Sequence, residues 1–178
     1  VITGASGGVG SLVIHMLAQL GYETIGVTSK HHSYDYLYGL GASKVVSAEQ
    51  LNLEQKPLGN ARYGAVVDNV GGKLLETLIP HINLGGAVAC VGNAAGVSLN
   101  TTVLPFILRG VSLLGISSNN CPLVLRKKLW QELAGRLKPK DFSSFVSEEV
   151  SLDEVVESCK KVIERKVTGR ILVRCQEP

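Results

Sequence analysis

The run Gly4-Ala5-Ser6-Gly7-Gly8-Val9-Gly10 restricts this chain most, because it joins an apolar strand to an amphipathic helix. Before it, Val1-Ile2-Thr3 reads as the end of a strand; after it, Val9, Leu12, Val13, Met16, Leu17 and Leu20 recur with helical period. The spacing predicts a helix over Val9 to Leu20, with Gly21 at its C-terminal cap. In such a turn Gly7 permits a pyrophosphate to approach the backbone, and Gly10 lets helix and strand pack closely. Free N–H groups at the helix start can hold anionic oxygens.

The rest of the chain repeats the alternation. Glu23 to Thr28, Lys44 to Ser47, Ala65 to Asp68, Ala87 to Val91 and Val111 to Ile116 read as strands. Helices are predicted over Tyr34 to Leu40, Lys73 to His81 and Thr102 to Leu108, with another opened by Pro122. The strands lack polar alternation, which indicates a parallel sheet covered on both faces: an α/β, doubly wound Rossmann fold. Ser151-Leu152-Asp153-Glu154 reads as a capping box before the apolar face Val155, Val156, Cys159, Val162 and Ile163, and Ile171 to Val173 as a last strand. We therefore expect a dinucleotide-binding domain over residues 1–149 and a helix–strand tail over 150–178. The chain opens inside what reads as its central strand, so it is expected to be a piece of a longer protein.

The end of the second strand decides which dinucleotide. An acid there would accept hydrogen bonds from both ribose hydroxyls of NAD, but this chain has Val27-Thr28-Ser29-Lys30. Two hydroxyls and an ammonium can donate to a phosphate instead, which favours NADPH over NADH. The four cysteines, Cys90, Cys121, Cys159 and Cys175, are far apart, and no histidine stands at a ligand spacing, so no metal site is expected. The net charge of +3 is spread out and no apolar run is long enough to span a bilayer, so neither nucleic acid nor membrane is expected as a partner. No signal peptide is legible, and a cytoplasmic location is expected. His15, His31, His32 and His81 read as structural or solvated, and Asp68 as a positioning residue.

Two families share this turn. Thr3-Gly4-Ala5-Ser6-Gly7-Gly8-Val9-Gly10 is similar to the T-G-x-x-x-G-x-G of short-chain dehydrogenases, and Asn93-Ala94-Ala95-Gly96 to their N-N-A-G. Those enzymes need a Tyr-x-x-x-Lys pair, but four residues beyond Tyr22, Tyr34, Tyr36, Tyr38 and Tyr63 stand Gly26, Tyr38, Leu40, Ala42 and Val67. With no lysine at any of these places, that chemistry is excluded.

The chain instead resembles the C-terminal part of the medium-chain dehydrogenase/reductase superfamily, in its zinc-independent, quinone-oxidoreductase-like branch. The glycine turn, Leu40-Gly41-Ala42, Asp68-Asn69-Val70-Gly71-Gly72 and Gly169-Arg170 carry the resemblance, and Thr101 to Arg109 is similar to the acryloyl-CoA reductase subgroup. The resemblance implies that Ser6, Gly7, Gly8 and Val9 contact the pyrophosphate of NADP(H). It puts Thr28, Ser29 and Lys30 at the adenosine phosphate, and Asn93, Ile107 and Ser118 on the nicotinamide side. It implies reduction of an activated carbon–carbon double bond, as in acryloyl-CoA, by hydride at the β-carbon and a proton at the α-carbon. A quinone or enone reductase and a non-catalytic NADP(H)-binding module are the rival readings. The resemblance further implies that an absent N-terminal barrel domain supplies most catalytic groups, so that none is assigned here, and that residues 150–178 pack on that domain. The chain alone is then expected to be inactive. Val111 to Ser117 contains neither proline nor charge, and its free edge is expected to pair with a second copy in a homodimer.

Overall fold

The computed structural model describes residues 1–175. Strands β1 (Ile2–Thr3), β2 (Ile25–Val27), β3 (Lys44–Val46), β4 (Tyr63–Asp68), β5 (Ile82–Cys90) and β6 (Ser112–Gly115) form one sheet in the order β3-β2-β1-β4-β5-β6. Every pairing in it is parallel. The order reverses between β1 and β4, which is where a doubly wound sheet leaves a crevice at the carboxyl ends of its strands.

Helix α1 (Gly8–Gln19) follows β1, α2 (Tyr34–Gly39) follows β2, and α3 (Gly72–Leu78) follows β4. The Gly21 cap holds: at φ 81° its N–H donates to Ala18 O, and Tyr22 N–H to Leu17 O. Ile2, Ile14, Leu37 and Val45 bury one face of the sheet, together with Phe145 from the distant tail. Val66, Val88, Leu78, Ile79 and Ile82 bury the other. The neighbours Val66 and Val67 go to opposite faces, as the two-residue strand period requires.

Helix α4 (Leu104–Arg109) supplies a brace. The Arg109 guanidinium donates to Pro80 O at 2.9 Å and Ile82 O at 3.1 Å, and also to Gly59 O. The buried His81 ring adds contacts from Nδ1 to Asn60 O and from Nε2 to Glu54 O, each 3.0 Å long. The irregular stretch before β4 is thereby tied to the start of β5, which gives His81 a structural role and places the conspicuous Arg109 in the scaffold.

The sequence reading missed part of the tail. The capping box is present, with Glu154 accepting from both the N–H and the hydroxyl of Ser151 at 2.8 Å, and α6 (Val155–Ile163) follows it. A strand not foreseen, β7 (Val146–Ser151), precedes it and pairs in parallel with β8 (Arg170–Arg174) as a separate two-stranded sheet. Strand β5 is also longer than Ala87 to Val91, because Gly85-Gly86 interrupts its pattern without ending the strand. Helix α5 (Leu123–Ala134) has no buried residue. No helix among the described residues is long and apolar enough to cross a membrane.

Candidate functional site

At the crevice the chain turns from β1 into α1 through Gly4, whose φ of 58° suits a residue without Cβ. A Cβ on Gly10 would stand 2.5 Å from Gly4 O and 2.8 Å from Ala5 Cα, so its close-packing role is borne out in the geometry. Ser6 Oγ and Thr28 Oγ1 lie 2.9 Å apart and bind the turn to the end of β2, and Thr28 Oγ1 also accepts from the Lys30 N–H at 3.2 Å. Thr28 is buried, so its hydroxyl acts as a brace behind the rim.

These groups open on a cleft of about 820 Å³. Ser6, Gly7, Gly8, Val9, Thr28, Ser29 and Lys30, all anticipated from sequence, line it together. The remaining three do not join them. Gly92 and Ala94 line the cleft, but Asn93 does not, Ile107 is 71% exposed on α4, and Ser118 lies exposed beyond β6.

The far wall comes from the tail, and sequence reasoning did not place it here. Val162, Arg165, Val167, Gly169 and Arg170 face the glycine turn across the cleft. Gly169 N–H donates to Ser6 O at 2.8 Å, and Gly7 bridges Gly169 in parallel. The Arg170 guanidinium fills the space a Gly8 Cβ would need, so Gly8 makes room for an arginine as well as for a ligand. Arg165 donates to Ala94 O, and the Lys30 ammonium to Val167 O. Gly169-Arg170 was visible as a motif, but only the long-range return of the chain to β1 puts the arginine at the turn.

Three cations thus face one cleft, and among the described residues none of them forms an ion pair. Burial lowers the Lys30 pKa from its ordinary value, as expected for an ammonium without a counter-charge. One acid, Glu49, also lines the cleft, but it follows β3 rather than β2. Asp68 is fully buried and accepts from Thr3 Oγ1 at 2.6 Å and from the Gly71 N–H at 2.8 Å. It shapes the turn after β4. Cys90 beside it has a raised pKa, from burial first and then from the Asp68 charge, which keeps it a thiol.

The donor set fits a dinucleotide. The helix start and glycine turn accommodate a pyrophosphate, and the cations surround positions for further anionic oxygens. Among the described residues no three His, Cys, Asp or Glu side chains gather.

Residues 8–137 match the family model described as zinc-binding dehydrogenase. The chain is 41% identical over 175 residues to YhfP of Bacillus subtilis, a relative bearing a quinone oxidoreductase name, and covers 98% of this chain and 53% of that protein. The solved structure of yhfP with NAD bound superposes with a TM-score of 0.92 at 40% identity, over 98% of this chain and 53% of that one. Escherichia coli supplies a relative named probable acrylyl-CoA reductase AcuI, 39% identical over 98% of this chain and 53% of its own length. The crystal structure of E. coli K-12 YHDH with bound NADPH has a TM-score of 0.92 at 38% identity, over 98% of this chain and 54% of that one. The chain spans about half the length of the curated relatives it matches.

Proposed function

The chain belongs to the zinc-binding dehydrogenase family of medium-chain reductases, and from that premise we propose that it is the NADPH-holding part of a reductase acting on activated carbon–carbon double bonds, without zinc. The observation that carries the cofactor reading is the end of β2, where Lys30 and Ser29 face the cleft and no acid does. The structure solved with NADPH bound supports it.

Bound cofactor supplies hydride to the β-carbon of the substrate; the residues of this chain hold and orient it. Ser6, Gly7, Gly8 and Val9 offer the turn to the pyrophosphate, with Arg170 across from them. Thr28 braces Ser29 and Lys30 at the 2′-phosphate. Asn93, Ile107 and Ser118, which lie outside the cleft lining, are assigned to the nicotinamide side by family likeness, where a second domain would close over them. Residues 1–149 form the binding domain in this reading, and the tail 150–178, of which 176–178 lie outside the described residues, serves both its cleft and that second domain.

Lys30→Ala is expected to weaken NADPH binding by about 1 to 3 kcal/mol while leaving NADH nearly unchanged, the scale of one charge-assisted hydrogen bond. Titration of both cofactors checks this, and equal losses would remove Lys30 from the 2′-phosphate. For the substrate, NADPH consumption by the full-length polypeptide is compared with acryloyl-CoA, crotonyl-CoA and free quinones. An enoyl thioester is the expected acceptor, given the relative named as an acrylyl-CoA reductase. Preference for quinones would favour the second reading, which the YhfP name supports. Turnover with none of them would point to a binding module.

We also assign a homodimer, formed where β6 is the sheet edge and Leu113, Leu114 and Ile116 are exposed. A cytoplasmic location fits an enzyme drawing on soluble NADPH.

A further inference from the structure

The corner of the cleft assigned to the 2′-phosphate is crossed by a segment from the other end of the chain. Val167 O accepts from the Lys30 ammonium. The next residue, Thr168, shares a 2.9 Å hydrogen bond between its hydroxyl and that of Ser33, and Gly169 N–H donates to Ser6 O. Three successive tail residues are thus bonded to the turns that follow β1 and β2. Ser33 is 1% exposed, and its N–H closes on Lys30 O at 3.0 Å, so it belongs to the same short turn as the lysine.

A lysine side chain is long and flexible, and fixing it costs rotamer entropy. A site in which it is already fixed meets less of that cost when a ligand arrives. An ammonium has three donors, and Val167 O takes one, which leaves the others for phosphate oxygens. The lowered pKa of Lys30 agrees with an ammonium held out of water ahead of its counter-charge.

We propose that Ser33 and Thr168 are positioning residues that set dinucleotide specificity: their hydroxyl pair holds the Val167 carbonyl against Lys30 and so presets the ammonium for the 2′-phosphate that distinguishes NADPH from NADH. This rests on the NADPH reading above. Neither hydroxyl touches the cofactor in this scheme; both act through Lys30.

The test is a cycle of dissociation constants for NADPH and NADH, measured on the full-length polypeptide with Lys30→Ala, Thr168→Val, Ser33→Ala, Thr168→Ser and the double variant Lys30→Ala/Thr168→Val. Thr168→Val is expected to weaken NADPH roughly 3- to 10-fold, the scale of one lost hydrogen bond, with NADH unchanged. Thr168→Ser should restore NADPH affinity, and Thr168→Val should cause no further loss once Lys30 is gone. Ser33→Ala breaks the same pair from the buried side and gives the same readout should Thr168→Val fail to fold. Equal weakening of both cofactors by the hydroxyl variants, or full additivity with Lys30→Ala, overturns the proposal. If Lys30→Ala itself affects both cofactors alike, the 2′-phosphate assignment falls and this proposal with it; a split at Lys30 without one at Thr168 and Ser33 removes the proposal alone.

Discussion

Gly10→Val is expected to leave little folded protein, and none that binds a dinucleotide. The first carbon added at Gly10 would already stand 2.5 Å from Gly4 O and 2.8 Å from Ala5 Cα, both backbone atoms that cannot rotate away. Valine adds two more carbons in the same place. Relief requires α1 to move off β1, which uncovers Ile14 and Ala5, both 0% exposed, and reshapes the turn itself. Overpacking of a mobile core costs about 1 to 3 kcal/mol. Against fixed backbone the cost is higher, and total stability for a domain is only about 5 to 15 kcal/mol. Thermal melting and NADPH titration check the outcome, with Gly39→Ala as the control because nothing lies within 4 Å of a Cβ there. A variant that melts like the parent and keeps its affinity would show that the turn can yield, and would remove Gly10 from its role.

Leu113→Pro is expected to abolish the proposed dimer and yield monomers while leaving the sheet intact. Ile116 N–H donates to Cys90 O at 3.0 Å, so that N–H faces β5. Alternation along the strand then turns the Leu114 N–H toward β5 as well, and the Leu113 and Gly115 N–H groups toward the open edge. Proline at 113 removes a donor that the chain does not use internally, whereas proline at 114 breaks the β5–β6 ladder and should destabilise the fold itself. Sedimentation at tens of micromolar distinguishes the two. A Leu113→Pro protein that remains dimeric would exclude strand pairing across this edge, and the exposed Leu125, Leu129 and Trp130 of α5 would become the next interface to examine.

What the sequence made legible is local. Gly10 and Lys30 could be assigned because a strand-to-helix turn and the end of the next strand follow each other within thirty residues and obey short-range rules. Arg170 could not, since its place over Gly8 depends on a pairing between Gly7 and Gly169 at opposite ends of the chain. Strand β7 escaped notice for a related reason. Its run Val146-Ser147-Glu148-Glu149-Val150 looks solvated, yet Glu148 is satisfied by Lys161 at 2.8 Å and Glu149 by Arg174 at 2.9 Å, partners supplied by α6 and β8. Asn93, Ile107 and Ser118, taken from family likeness alone, stand outside the lining of the cleft in this structure.

The return of the tail to the glycine turn also sets an order of events during synthesis. Strands β1 to β6 are complete once Gly115 has left the ribosome, so the sheet can form while the cleft still lacks one wall. That wall, Val162 to Ile171, is made after the sheet and must return to the glycine turn, more than 150 residues before it in the chain. Closing a loop of this length carries an entropy cost on the order of 4 to 5 kcal/mol, met late by β8, Gly169 and the hydroxyl pair. A sheet formed at that stage would leave the groove without Arg165 and Arg170, and the lining of the cleft would be complete only once β8 joins it. A dinucleotide bound between the glycine turn and the tail would oppose the release of that strand by mass action.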